Sequence, residues 1–379
     1  MVLAVLGFVP DNRFDLRLSK QMAIEWVLIA IIALYFLKNK WLKFGVLWLL
    51  IRMVITYNKP SYTTFNTMFL GVIFYQMMVD KFEKRHFLAL LNAICVIAII
   101  NSIVTIFQYF GIWIIMYPNK LLKPAETVHY LGGYLTIVPP GGHPDGFFSG
   151  LLTNMNMAGS LCAIALPAFF RKKWVWFIPI ILFGLFLSQT LGGVVPACVV
   201  IAWFLCRKFN KHKLRISLFF VLMALFYLLV FENIPQILEG NSRFEVWAKS
   251  FKVIKVRPII GWGVGQFRYV FPRIYSFIIK GDQASLKWTY LHNEYLQYLV
   301  EVGSIGLFFA LGFIGSLIRK GFKYKSELTF LALLGLTAAL INAGGNFLFH
   351  TSVGVIVFVY AAILERGEKL CGKNGLFYS

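Results

Sequence analysis

The side chains best suited to proton transfer lie close together near the end of one long polar stretch: His292, Glu294 and Glu301 in the run His292-Asn-Glu-Tyr-Leu-Gln-Tyr-Leu-Val-Glu301. A histidine is the one side chain that ordinarily changes charge near neutrality, so it can take or give a proton there. Glu294 and Glu301 are seven residues apart and therefore share one face of a helix. Asn293 suits the N-cap of that helix, leaving His292 just outside it and Glu294 in the first turn. Glu294 there favours the helix dipole whatever else it does, and Glu301, one level deeper, is as well suited to a structural hydrogen bond as to chemistry. Some fifty residues upstream, Arg243 opens an amphipathic segment, where its fork of donors matches phosphate, including the phosphate of a lipid.

The elements that must hold these groups are membrane helices. Hydrophobic residues make up 59% of the chain and come in near-continuous runs of span length rather than in stripes. About eleven spans are expected, at 22–37, 41–56, 62–79, 87–113, 149–170, 174–188, 191–206, 214–231, 290–318, 328–342 and 347–364, and a twelfth is possible at the N-terminus. Residues 1–10 are apolar but too short to cross, and they lack the pattern of a signal peptide. The expected fold class is an all-α polytopic bundle forming a single membrane domain over 1–379.

The net charge of +21 invites a nucleic-acid reading, which its placement removes. Roughly 21 of the 37 basic residues fall in alternate short loops, such as Lys81/Lys84/Arg85 and Arg171/Lys172/Lys173, and that side carries about +16 against about +5 opposite. This is the positive-inside asymmetry of a multi-pass protein with a cytoplasmic C-terminus; no polyanion is needed to explain it. The five cysteines form no CxxC, and no metal-ligand constellation is apparent, so neither a zinc site nor a disulfide framework is indicated.

Two loops on the outer side are too long to be simple connections. The first, 114–148, carries Pro139-Pro-Gly-Gly-His143-Pro-Asp-Gly, where His143 reads as a turn residue. The second, 232–288, is the more informative. Ser242-Arg-Phe-Glu245 fits a capping box, and Phe244, Trp247, Phe251 and Ile254 then recur at helical spacing until Pro258, as in a helix lying on the membrane surface. Gly261-Trp-Gly263-Val-Gly265 follows, with three alternate glycines that allow tight turning, in a spacing unlike a dinucleotide fingerprint. His350, in the last span, reads as a packed bundle residue.

Arg243-Phe-Glu-Val-Trp247, then Pro258 with Gly261-Trp-Gly-Val-Gly-Gln-Phe267, then His292-Asn-Glu-Tyr-Leu-Gln and Glu301-Val-Gly-Ser-Ile-Gly-Leu307 resemble, in that order, the O-antigen ligase and polymerase superfamily. Gly150-Leu-Leu-Thr-Asn154-Met-Asn156-Met-Ala158 resembles that family's Gly…Asn-Pro-Asn…Ala helix start, with Met155 in place of proline. The resemblance covers about 146–345. It implies a GT-C-like glycosyltransferase of polysaccharide or lipopolysaccharide assembly in the bacterial inner membrane. Such an enzyme takes a glycan from an undecaprenyl-diphosphate carrier and passes it to a hydroxyl of a glycan or lipid acceptor on the periplasmic face, with no cofactor or metal expected.

On that resemblance Arg243 matches the loop arginine that holds the donor phosphate, and His292 matches the loop histidine that acts as base. Glu294 would orient His292 or serve as base itself. Asn154, Asn156 and Glu301 are expected to bind substrate, as are Arg257 and Arg268, which like Lys249 and Lys255 are lesser cations without a motif match. The chain departs from the family at Ser188-Gln-Thr-Leu191-Gly-Gly, where Leu191 replaces the arginine of Ser-Arg-Gly-Ala and another cation must substitute. The resemblance leaves open ligase, polymerase or O-oligosaccharyltransferase. The alternative from a different class, a lipid-linked glycan flippase without chemistry, predicts paired broken helices in two related halves, and the chain shows no internal repeat.

Overall fold

The computed structural model of the chain describes residues 34–56, 59–110, 112–115, 127–130, 133–137, 148–152, 154–188, 190–208, 242–279, 288 and 290–371. Its helices are α1 (Lys40–Thr56), α2 (Lys59–Lys81), α3 (Lys84–Tyr109), α4 (Met155–Phe169), α5 (Ile178–Leu187), α6 (Leu191–Lys208), α7 (Ser242–Val256), α8 (Phe267–Ile279), α9 (Glu294–Lys323), α10 (Glu327–Ala343), α11 (Gly354–Glu365) and the short α12 (Gly367–Cys371). The all-α bundle expected from the sequence is thus the fold, and α3 and α9 are each long and apolar enough to cross a bilayer. The expected segment 214–231, most of 22–37, and His143 lie outside the described residues.

One element departs from expectation. The chain leaves α3 at Tyr109 rather than continuing to 113, and a small antiparallel sheet follows in the first long loop. Its strands are β1 (Ile112–Ile115), β2 (Thr127–Tyr130) and β3 (Gly133–Ile137), in the order β1-β3-β2, with Ile112 opposite Ile137. Ile-Trp-Ile-Ile is β-branched and aromatic, so it satisfies a strand as readily as the end of an apolar helix.

Helix α3 shows what kind of solvent surrounds the bundle. Its polar residues Asn101, Ser102, Thr105 and Gln108 are buried, while Ile97, Ile100 and Phe107 are exposed. A helix with its polar side inward and its isoleucines outward suits lipid, not water. The buried amides have partners in the chain. Gln108 Oε1 accepts from Gly150 N (2.8 Å), Gln108 Nε2 donates to Gly150 O (2.9 Å), and Asn101 Oδ1 accepts from Leu151 N (2.9 Å). They satisfy the loop that leads into α4.

The chain divides into two compact units, Met1–Gln76 with Phe251–Thr289 and Tyr298–Phe313, and Met77–Ser250 with Tyr290–Gln297 and Ile314–Ser379. In the second unit α4 is the central helix, packed on α3, α5, α6 and α10. Small residues let it do this: a Cβ at Gly193 of α6 would stand 2.7 Å from the Gly159 carbonyl of α4, so the two backbones touch. Tyr360 of α11 donates to Ile164 O of α4 at 2.8 Å, which satisfies its buried hydroxyl.

In the first unit Leu37, Val46, Leu50 and Met53 pack on Phe65, Phe69 and Val72 of α2. The principal feature here is a break in α9 at Gly303, which adopts φ 69 and ψ −174. Four backbone groups near the break bond to the loop before α8. Val300 O accepts from Trp262 N (2.9 Å) and Glu301 O from Gly263 N (2.7 Å), while Ser304 N donates to Pro258 O (2.9 Å) and Ile305 N to Ile259 O (3.3 Å). Residues 258–263, a turn closed by Gly261 N to Arg257 O (3.1 Å) and the loop after it, are therefore bonded into the break in the helix. Glycine is required where the backbones meet: a Cβ at Gly303 would lie 2.1 Å from Ile259 O, and one at Gly261 would lie 2.5 Å from Glu301 O. Trp48 of α1 adds a bond from Nε1 to Val302 O at 2.9 Å.

Gly303→Ala is accordingly expected to destabilise the purified protein by more than ~2 kcal/mol, combining a disallowed φ with a backbone clash. Gly315→Ala in the same helix, where nothing lies within 4 Å of the added Cβ, is the control and leaves the thermal midpoint in detergent nearly unchanged.

Candidate functional site

Arg243, His292 and Glu294 are brought together within the second unit, by elements that converge on one turn. Helix α7 begins at Ser242. Glu245, expected in a capping box with Ser242, pairs with Lys249 one turn on. Of the expected apolar face Phe244 and Phe251 are exposed and Ile254 is buried, and Val246, Ser250 and Val253 are buried beside it. Trp247 of that face is half-buried. A half-buried indole needs an acceptor for its N–H, and Nε1 donates to Leu291 O at 2.7 Å, tying α7 to the loop that carries the histidine.

That loop is held on both sides. Leu291 N donates to Gln297 Oε1 (3.1 Å) in the first turns of α9. Asn293 is the N-cap, as expected, with Oδ1 accepting from Leu296 N at 3.1 Å, and its Nδ2 donates to Gly344 O at 3.0 Å. Between them His292 takes a φ of 50, the one non-glycine residue with positive φ among the described residues. A left-handed backbone at a histidine is a strained arrangement maintained by its surroundings. The ring meets Phe347 edge-on at 4.7 Å, and Tyr290 stacks on the same Phe347 at 4.9 Å.

The turn after α10 supplies the other side of the site. Arg243 Nη1 donates to Gly345 O at 3.2 Å, next to the Gly344 carbonyl held by Asn293. Glu294, nearly wholly buried, accepts from Phe349 N at 2.7 Å. The carboxylate thus fixes the segment whose Phe347 supports the imidazole. Burial pushes the His292 pKa down to about 4, and the nearby Arg243 charge adds to the effect. His292 is therefore neutral at ordinary pH, as a proton acceptor must be. Burial likewise works against the charge on Arg243 and lowers its pKa.

Residues that the sequence reading passed over complete this region. Asn342 and Asn346, one turn apart, both donate through Nδ2 to the buried Ser160 Oγ of α4, at 2.8 and 3.1 Å, and Asn342 Nδ2 also reaches Gly192 O at 2.5 Å. The available signal was two asparagines at i and i+4 flanking a double glycine in an otherwise apolar run. Leu191 immediately precedes Gly192 and so borders this cluster.

The other expected site residues have varied placements. Asn154 caps α4, with Oδ1 accepting from Asn156 N at 2.8 Å, and the Asn156 carbonyl accepts from Ser160 Oγ at 2.6 Å. In the first unit, Glu301 accepts from Gly265 N (2.7 Å) and Phe267 N (3.4 Å), which anchors the glycine loop and the start of α8. Arg257 lies over the Trp262 ring at 4.5 Å, and Arg268 is exposed over Tyr269, to whose hydroxyl it donates.

The fold is that of an all-α membrane protein, and its candidate site joins Arg243, at the start of α7, to His292, in the loop before α9. Residues 176–311 match the O-antigen ligase family, the family anticipated from the order of the motifs. The matched stretch includes Arg243, His292, Glu294 and Glu301 but stops before the Gly344–Gly345 turn. A ComP-specific O-oligosaccharyltransferase from Acinetobacter baylyi is 25% identical over 227 residues, which cover 52% of this chain and 38% of that relative.

Removing the Arg243 charge should move the His292 pKa upward from about 4, though short of the ordinary value because burial remains the larger cause. A histidine titration in Arg243→Gln, followed by NMR with selectively labelled histidine, checks this. The same depression has a sign for stability. The unfolded chain takes up the proton near 6.5 and the folded chain near 4, so folding weakens as pH falls through that window. His292→Gln should flatten that part of the pH–stability curve.

Proposed function

We propose that this protein transfers a glycan from a lipid-diphosphate carrier of the undecaprenyl type to an acceptor hydroxyl, on the outer face of the bacterial inner membrane. The observation that carries the reading is the pairing, in one compact unit, of a partly buried arginine with a half-buried histidine held in a left-handed backbone conformation, where its pKa is depressed. The O-antigen ligase match and the named activity of the Acinetobacter relative support it.

In this reading His292 accepts the proton of the acceptor hydroxyl as its oxygen attacks the anomeric carbon. The bond from that carbon to the carrier diphosphate breaks, and Arg243 stabilises the charge that develops on the departing phosphate. The two residues are coupled. With no anion bound, Arg243 lowers the basicity of His292; a diphosphate beside Arg243 offsets that charge and raises it. Donor binding thus prepares the base. Glu294 acts as a positioning residue through Phe349 and Phe347, and no step requires a metal. A glycan, a lipid or a protein acceptor each presents a hydroxyl to this chemistry. Ligase and polymerase are the two favoured forms, with the O-oligosaccharyltransferase as the third. The break at Gly303 is the feature a flippase reading would claim, yet 258–263 bonds with the backbone groups on both sides of it.

His292→Ala and Arg243→Ala are each expected to lower glycan transfer by about 10²–10⁴-fold in protein that still unfolds cooperatively on heating. Normal surface glycan in both variants would sink the assignment. A glycan gel of surface and lipid-carrier fractions from a deletion strain then separates the forms. Surface chains of one repeat mean a polymerase, long chains stranded on the carrier mean a ligase, and donor accumulating on the cytoplasmic face means a flippase.

A further inference from the structure

The first unit buries a cation that the proposed transfer does not use. Arg52 lies near the C-terminal end of α1 and is 2% exposed. Its Nη2 donates to Gly261 O at 3.0 Å, and its Nε has no hydrogen-bond partner. Among the described residues no carboxylate pairs with it. A single carbonyl dipole does not compensate a guanidinium removed from water, and an arginine inside a membrane bundle ordinarily meets an anion or a water-filled cavity. The nearest charge brought to it has the wrong sign. Arg257 stacks on Trp262, the residue after Gly261, and its charge acts repulsively on Arg52. Two arginines directed to one glycine loop, one buried and one exposed, form the usual electrostatic requirement of a phosphate site.

We propose that Arg52 and Arg257, joined through the Gly261–Trp262 backbone, form a phosphate-binding site for a phosphorylated lipid, separate in its residues from Arg243 and His292. The ligand chemistry is a phosphate or diphosphate monoanion or dianion beside an apolar chain. Arg52 supplies the desolvated fork and Arg257 the solvent-facing charge, and the glycine loop held by Glu301 keeps both in register. Either the diphosphate of a lipid carrier or the headgroup of an anionic bilayer lipid meets this description.

The test uses the full-length protein carrying Arg243→Ala, so that phosphate affinity at Arg243 makes no contribution. It is placed in phosphatidylcholine nanodiscs and titrated with inorganic pyrophosphate, and separately in nanodiscs with added phosphatidylglycerol, with the thermal midpoint as readout. The midpoint is expected to rise with at least one of the two. Arg52→Gln should abolish the rise, and Arg257→Gln, an exposed change that keeps the fold, should weaken the apparent affinity by about tenfold. A response to pyrophosphate assigns the site to a diphosphate, and a response to phosphatidylglycerol alone assigns it to a bilayer lipid. No response to either, or an equal response in Arg52→Gln and Arg257→Gln, overturns the proposal. Adding His292→Ala leaves the response intact, so failure of this site and failure of the catalytic assignment are read separately.

Discussion

Backbone hydrogen bonding at the Gly303 break is the constraint on which the first unit depends. A helix interrupted inside an apolar bundle leaves carbonyls and N–H groups that lipid cannot satisfy, each at a cost of several kcal/mol. Here the segment 258–263 bonds with Val300 O, Glu301 O, Ser304 N and Ile305 N. That arrangement explains why the glycines stand where they do. Gly261 and Gly303 approach each other too closely for any Cβ, and both adopt positive φ. Glu301 then completes the junction by accepting from Gly265 N and Phe267 N, so a residue that reads as a possible substrate ligand is engaged in holding the loop.

The second unit solves a different problem, holding a histidine close to an arginine and a buried carboxylate. Glu294 lies two residues from His292, and its Oε1 accepts from Phe349 N. Burial first and the Arg243 charge second hold the imidazole neutral beside a cation, an electrostatic state that water would not favour. The strained backbone at His292 belongs to the same arrangement, since Trp247, Gln297 and Asn293 fix the loop on either side. Strain of this kind persists only where neighbouring contacts over-determine the conformation.

The two units share a method. In each, the carbonyls of a glycine turn are clamped by side chains distant in sequence, beside the turn's own backbone bonds: Arg243 and Asn293 on Gly344–Gly345, Arg52 on Gly261. Substitutions at the clamping residues are therefore expected to act on geometry as well as on charge, which is why transfer rates and thermal midpoints need to be read together.

The membrane class was legible from sequence because it follows from composition and run length, which no tertiary contact can alter. So were the order of the motifs and the N-cap at Asn293, both local properties. The chemistry-bearing residues were legible as types: an arginine and a histidine stand out in an apolar chain. What periodicity did not decide was partnership. Phe244, Trp247, Phe251 and Ile254 read as one membrane-facing apolar face, and spacing gave no sign that the Trp247 indole bonds to Leu291 O or that Ile254 is buried. Ile112 and Trp113 read as a helix end and Ile114 and Ile115 as loop, and the four became a strand because a pairing partner lay some twenty residues on. The continuous run 290–318 gave no warning that α9 breaks at Gly303, and nothing between the spans 328–342 and 347–364 marked Gly344 and Gly345 as the carbonyls that Asn293 and Arg243 hold. In every case the deciding bond joins residues far apart in sequence, and such bonds are set by packing, which spacing along the chain does not encode.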